Sequence, residues 1–134
     1  MSNELKDKFP RNYNIEKKYR KEYEDLKKKN ELFKGKTSNE IFMISLSLGF
    51  KNKCPKILKS PYPVVNCNAF DVKSTWIIAS LAIKEKGIGV LSDMVEIRKT
   101  AEKYANGGFE ILKKKLSSDD PGSIIKRFEE ELLD

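Results

Sequence analysis

Two short stretches carry residue types that could do chemistry. The first is Asp71-Val72-Lys73, which follows the apolar Val64-Val65 and has the form of the D-x-K half of a metal-dependent nuclease site. That chemistry requires a second, upstream acid to hold magnesium beside Asp71. Between Glu40 and Asp71 there is no Asp or Glu, and a helix N-cap accounts for Asp71 fully. The second stretch is Asn106-Gly107-Gly108. A phosphate cradle precedes a helix and is followed by a cation or a hydroxyl. Here the glycines follow a long helical pattern, and Phe109 and Glu110 come next. Asn106 and Gly107 suit left-handed backbone, and Gly108 leaves room between close-packed helices. The stretch therefore reads as a structural corner between two helices.

The remaining catalytic options are thin. No histidine occurs in the 134 residues, which removes the usual triads and histidine-metal sites. Neither GxGxxG nor GxxxxGK[ST] is present. Cys54 and Cys67 alone cannot complete an ordinary four-ligand zinc site, and they read as reduced thiols. The expectation is a non-catalytic protein without cofactor or metal.

Charge is more informative. Residues 1–60 hold 16 Lys and Arg against 8 Asp and Glu, whereas residues 61–134 hold 11 against 12, so the net +7 comes entirely from the first part. A polyanionic partner such as DNA suits this asymmetry, and so does a simple solvated surface. The candidate phosphate-contacting residues are Lys17, Lys18, Arg20, Lys21, Lys27 and Lys28 on the first helical segment, with Lys51, Lys53 and Lys56 beyond Gly49.

The elements that must position these residues read as all-α. Residues 1–12 form a flexible arm, and 13–134 a single helical domain. From Asn14, the residues Ile15, Tyr19, Tyr23, Leu26, Asn30 and Phe33 make one stripe on a long charged helix. The tyrosines could stack on bases, but the regular spacing favours packing on the core. Gly35 breaks the helix, and Thr37 with Glu40 forms a capping box for the next. Ile41 to Leu48 is central in the core, with Gly49 as a left-handed C-cap. Residues 51–70 read as loop, with a short extended piece at Val64-Val65. A helix capped by Asp71 runs through Trp76, Ile77, Leu81 and Ala82 to Gly87. Another starts at Ser92 or Asp93, with Met94, Ile97 or Arg98, Ala101 and Tyr104-Ala105 facing inward. Phe109, Leu112 and Leu116 mark a fifth helix, and Asp119-Asp120-Pro121 opens a sixth with Ile124, Ile125, Phe128 and Leu132. No run of about 18 apolar residues is present to span a membrane. The N-terminus does not resemble a secretory leader, so a cytoplasmic protein is expected.

Tyr104 to Leu112, YANGGFEIL, resembles the EYANGGxEIL signature of a small accessory family encoded beside DNA phosphorothioation genes, the Dnd system-associated protein 4 family. Phe33, Thr37, Ile41-Phe42 and Leu48-Gly49-Phe50 resemble its upstream F-x-T-x-x-D-hydrophobic segment ending in A-L-G-[FY], and Leu81-Ala82 falls where the family has another apolar helix. Asn39 stands in place of the family's acid, and its basic run after the glycine is reduced to Lys51, Lys53 and Lys56. The resemblance implies an accessory of a system that replaces a non-bridging phosphate oxygen with sulfur. The expected partners are DNA and the protein components of a phosphorothioation-dependent restriction complex. It supplies no catalytic residue. An adaptor docking through the first helix or the acidic final helix, and never touching DNA, is the alternative.

Overall fold

The computed structural model describes residues 12–30, 33–66 and 72–118. In chain order they form strand β1 (Asn12–Glu16), a 3-10 turn (Lys17–Tyr19), helix α1 (Arg20–Lys29), helix α2 (Ser38–Lys51), strand β2 (Pro61–Asn66), helix α3 (Val72–Lys86), a second 3-10 turn (Ile88–Ser92) and helix α4 (Met94–Ser118). The described residues thus hold four α-helices, not the five that the periodicity predicts there. The expected sixth, from Asp119, lies outside the described residues, as do Asp71 and Cys67.

The centre of the fold is the packing of α2 on α4, and its closeness explains the glycines. A β-carbon placed on Gly108 would sit 1.6 Å from the Ser45 carbonyl oxygen and 2.6 Å from the Gly49 nitrogen. One on Gly49 would sit 1.8 Å from the Tyr104 carbonyl oxygen. Backbone therefore touches backbone at this crossing, which only residues without side chains permit. Ile41, Phe42, Leu46 and Leu48 from α2, and Ile97, Ala101, Ala105, Phe109 and Leu112 from α4, fill the surrounding core.

The expected corner at Asn106-Gly107-Gly108 is corrected by this arrangement. The helix runs unbroken from Met94 to Ser118 through both glycines. Gly49 is likewise no C-cap, because α2 continues to Lys51 and Asn52 caps it. The left-handed backbone falls instead on Lys53, at φ 50°. Each glycine inside a helix costs roughly 1 kcal/mol against alanine, and contact between the two helix backbones offsets that cost. Positive φ falls instead on Gly87, directly after α3, at 89°, and on Gly35 in the turn between α1 and α2, at 83°; α1 itself ends at Lys29, capped by Asn30 and not broken by Gly35.

The N-terminal segment differs too. Residues 12–16 form a strand, so the helix expected from Asn14 begins only at Arg20. β1 pairs antiparallel with β2, Tyr13 opposite Val65 and Ile15 opposite Tyr62, with a bulge between Tyr13 and Asn14. Tyr13 and Ile15 are buried on one face, and Tyr13 stacks on Phe42 at 5.4 Å. Tertiary pairing has overridden a local helical pattern here. Elsewhere the predicted devices are present. The Thr37 hydroxyl accepts the Glu40 amide at 3.1 Å, and the Glu40 carboxylate accepts the Thr37 amide at 3.1 Å. Asp93 accepts the Glu96 amide at 3.2 Å and starts α4. Met94, expected inward, is 43% exposed.

Candidate nucleic-acid interface

The basic residues sit on two segments, and α4 organises both. The first is the β1–α1 connection. Tyr19 and Tyr23 turn their rings onto Phe109, with centroids 4.9 and 4.7 Å away. Both tyrosines and Phe33 are buried, so the stripe packs on its own domain and offers no base-stacking platform. It also gives a protein partner no docking face.

The second segment is the loop 52–60, which is tied down at nearly every other residue. The Cys54 amide donates to the Gly49 carbonyl at 2.9 Å, and the Lys56 amide donates to the Lys103 carbonyl at 2.8 Å. The Asn106 amide group donates to the Lys56 carbonyl at 3.0 Å. At Gly107 a β-carbon would lie 1.6 Å from the Cys54 carbonyl oxygen, so the loop rests directly on the helix. Beyond it, the Lys59 and Ser60 amides donate to the two carboxylate oxygens of buried Glu16, at 2.9 and 2.6 Å. Burial works to raise the Glu16 carboxyl, but those amides, with Lys18 and Lys59 nearby, outweigh it and hold it below the ordinary value. The Lys17 amide donates to the Ser60 carbonyl at 2.8 Å. The two basic segments are thereby joined.

The nine candidate residues divide into two groups. Four are engaged. Lys18 lies over the Tyr19 ring at 5.2 Å. Arg20 lies over the Tyr62 ring at 5.1 Å and donates to its hydroxyl at 3.2 Å. Lys27 pairs with Glu24 at 2.7 Å and donates to Ser38 at 2.8 Å. Lys56 pairs with Glu110, whose carboxylate holds the ammonium above its ordinary value. In return Lys56, then the Tyr19 hydroxyl at 2.7 Å, lowers the Glu110 carboxyl. Lys17, Lys21, Lys28, Lys51 and Lys53 are exposed, with no ion pair among the described residues. Lys18 and Lys56 both act on the Glu110 carboxylate, and Lys18 and Lys59 on Glu16. Lys27 and Lys28 lie toward the far end of α1.

Sequence reading missed Lys59, Ile57, and the stacking of Arg20, itself a candidate, on Tyr62. The signal for the first two was present, because no acid occurs between Glu40 and Asp71. The third depended on strand pairing, which brings Tyr62 opposite Ile15.

Among the described residues no group of three or more His, Cys, Asp or Glu side chains could hold a metal ion. No helix among them is long and apolar enough to cross a membrane. The geometry therefore defines a small, predominantly helical scaffold that carries a lysine-bearing loop pinned across its longest helix. The chain belongs to the DNA sulphur modification system-associated protein 4 family, whose model matches residues 16–131. It is an accessory of that system. No curated protein and no solved structure matches the chain.

The family also gives YANGGFEIL its meaning. Tyr104 packs edge-on against Phe50 at 5.2 Å, Asn106 and Gly107 hold the loop, and Gly108 admits α2. Phe109 receives the tyrosines of the β1–α1 segment, Glu110 ties Lys56 to Tyr19, and Leu112 is buried in the core. One turn upstream, the Glu102 carboxylate accepts the Asn14 amide at 2.6 Å and so fixes β1. The stretch is a packing node.

Proposed function

We propose that the protein is a non-catalytic, DNA-binding accessory of a phosphorothioation-linked defence and restriction system. Its basic surface is formed by the β1–α1 segment and the loop 52–60. The observation that supports this reading is the junction of the two basic segments, where the Lys17 amide donates to the Ser60 carbonyl. Exposed lysines make phosphate contacts that give affinity without sequence choice and release counterions on binding. Lys17, Lys21, Lys28, Lys51 and Lys53 are the residues available for this, while Lys56 and Lys27 are committed to carboxylates.

The test is binding of the purified protein to matched duplexes, with and without phosphorothioate, at two salt concentrations. Binding that weakens steeply with salt supports the assignment, and a difference between the duplexes ties it to the sulfur mark. Retention of full affinity by a Lys17→Glu, Lys21→Glu, Lys51→Glu, Lys53→Glu variant removes it.

A second reading, an adaptor that docks on a larger restriction component, is favoured by one observation. Trp76 and Ile77 on α3 are 42% and 36% exposed, on the helix face shared with Ser80 and Lys84. Substituting both with serine while DNA binding stays intact, and losing a partner from a reconstituted complex, would establish it.

A further inference from the structure

Ile57 is the most exposed large apolar side chain among the described residues, at 83%. It stands at the middle of the loop 52–60, and the loop is anchored on both sides of it. Cys54 and Lys56 are held to α2 and α4 on one side, and Lys59 and Ser60 to Glu16 on the other. An isoleucine on a slack loop would fold back onto the core to escape water. Here the backbone hydrogen bonds prevent that, and the side chain is presented outward.

Its surroundings specify the kind of partner. From Ile41 to Phe70 the chain has no acid, and Lys51, Lys53, Lys56 and Lys59 flank Ile57. The two carboxylates that bond the loop among the described residues are both satisfied, Glu16 by backbone amides and Glu110 by Lys56 and Tyr19. Lys53 and Lys59 are left exposed on either side. Ile88, at 75% exposure, lacks this setting, because Glu85, Asp93 and Glu96 lie close by in the chain. A rigidly held aliphatic side chain between unpaired lysines matches the apolar wedges that enter the minor groove and partly unstack a base step, with cations on the adjacent phosphates.

We propose that Ile57 is such a wedge: it inserts at a base step of duplex DNA while Lys53 and Lys59 bind the phosphates on either side. The proposal rests on the DNA-binding reading and adds to it a deformation of the duplex, strongest at the flexible pyrimidine–purine steps.

The experiment uses the full chain and duplexes carrying 2-aminopurine at a pyrimidine–purine step, titrated at fixed salt. Wild type is expected to raise the 2-aminopurine fluorescence on binding. Ile57→Ala should abolish the rise and weaken binding roughly tenfold without changing the salt slope, and Ile57→Leu should restore both. Lys53→Ala with Lys59→Ala should lower the salt slope instead. Thermal melts should be unchanged for Ile57→Ala, since the residue is solvent-exposed. The wedge is overturned if wild type binds with no fluorescence rise, or if Ile57→Ala binds and unstacks like wild type. It is equally overturned if Ile57→Ala leaves DNA binding intact and loses only a protein partner. If wild type fails to bind any duplex at low salt, the DNA-binding reading itself falls, and the wedge with it.

Discussion

Gly108→Ala tests the helix crossing directly. In an ordinary helix interior this change stabilises by about 1 kcal/mol, because alanine restricts the unfolded chain and favours helix. At Gly108 the added methyl would lie 1.6 Å from the Ser45 carbonyl oxygen and 2.6 Å from the Gly49 nitrogen. Both are backbone atoms of α2, so no side-chain rotation relieves the clash. The helices must separate along the most extensive helix–helix packing among the described residues. Overpacking of a core costs about 1–3 kcal/mol, and contact with backbone places this case at the upper end. After the propensity gain is subtracted, the net loss is about 2 kcal/mol, which for a chain of this size lowers Tm by roughly 6–10 °C. Urea and thermal unfolding followed by circular dichroism at 222 nm measure it. Gly89→Ala is the control, since a β-carbon there meets nothing within 4 Å, and it should fall within about 0.5 kcal/mol of wild type. A Gly108→Ala protein as stable as wild type, or more so, would refute the backbone contact between α2 and α4.

Other outcomes follow from the same contacts. Phe109→Ala removes the ring on which Tyr19 and Tyr23 pack and is expected to cost about 3–5 kcal/mol in urea unfolding. Gly107→Ala pushes on the Cys54 carbonyl, which belongs to a loop and can shift; it should cost less stability than Gly108→Ala and remove the Ile57-dependent part of DNA affinity. Burial raises the Glu102 carboxyl above its ordinary value, against the Asn14 amide and Arg98. Its folded form therefore binds a proton more readily than its unfolded form, and this contribution is present at low pH and lost as pH rises through the raised value. Urea midpoints from pH 4 to 8 should show wild type gaining stability relative to Glu102→Gln as pH falls; the opposite slope would contradict the burial of this carboxylate. The Tyr104 phenol, beside the Glu85 carboxylate and partly desolvated, is pushed up to about 12. Stability from that contact is full below the ordinary tyrosine value and is lost as pH rises toward 12, so tyrosinate absorbance at 295 nm should show a late-titrating group that is missing in Tyr104→Phe.

Local devices were legible wherever a few neighbouring residues decide the outcome. Thr37 and Glu40 announced a capping box, Gly87 the end of a helix, and Ile41, Phe42, Ala101, Ala105, Phe109 and Leu112 the core. The misreadings share one cause, a distant partner. Ile15 fits the strand alternation with Tyr13 as well as the helical stripe with Tyr19, and only pairing with residues 61–66 decides between them. Gly107 and Gly108 break a helix by propensity, yet the helix continues because α2 and the loop at Cys54 need the space a β-carbon would occupy. Propensity differences of about 1 kcal/mol per residue lose to burial on this scale.

This bears on where function is to be sought. Every residue of YANGGFEIL that has a contact spends it inside the molecule: on α2, on the β1–α1 segment, or on the loop 52–60. A motif used up in this way leaves little for a ligand: its small residues are filled by neighbouring backbone, and the one unpartnered polar atom among them, Asn106 Oδ1, is buried. What it does instead is fix the loop 52–60, through Asn106 and Glu110 on Lys56 and through Gly107 against Cys54. Lys56 illustrates the point, since its amide, its carbonyl and its ammonium are each held by a different residue of α4. Ordering a loop costs about 1–2 kcal/mol of backbone entropy per residue, and here the ordering leaves an isoleucine and two lysines directed at solvent. The signature thus acts at one remove, as the mount for the proposed binding surface. Substitutions within it should lower stability and binding together, whereas substitutions at Lys53, Ile57 and Lys59 should change binding alone.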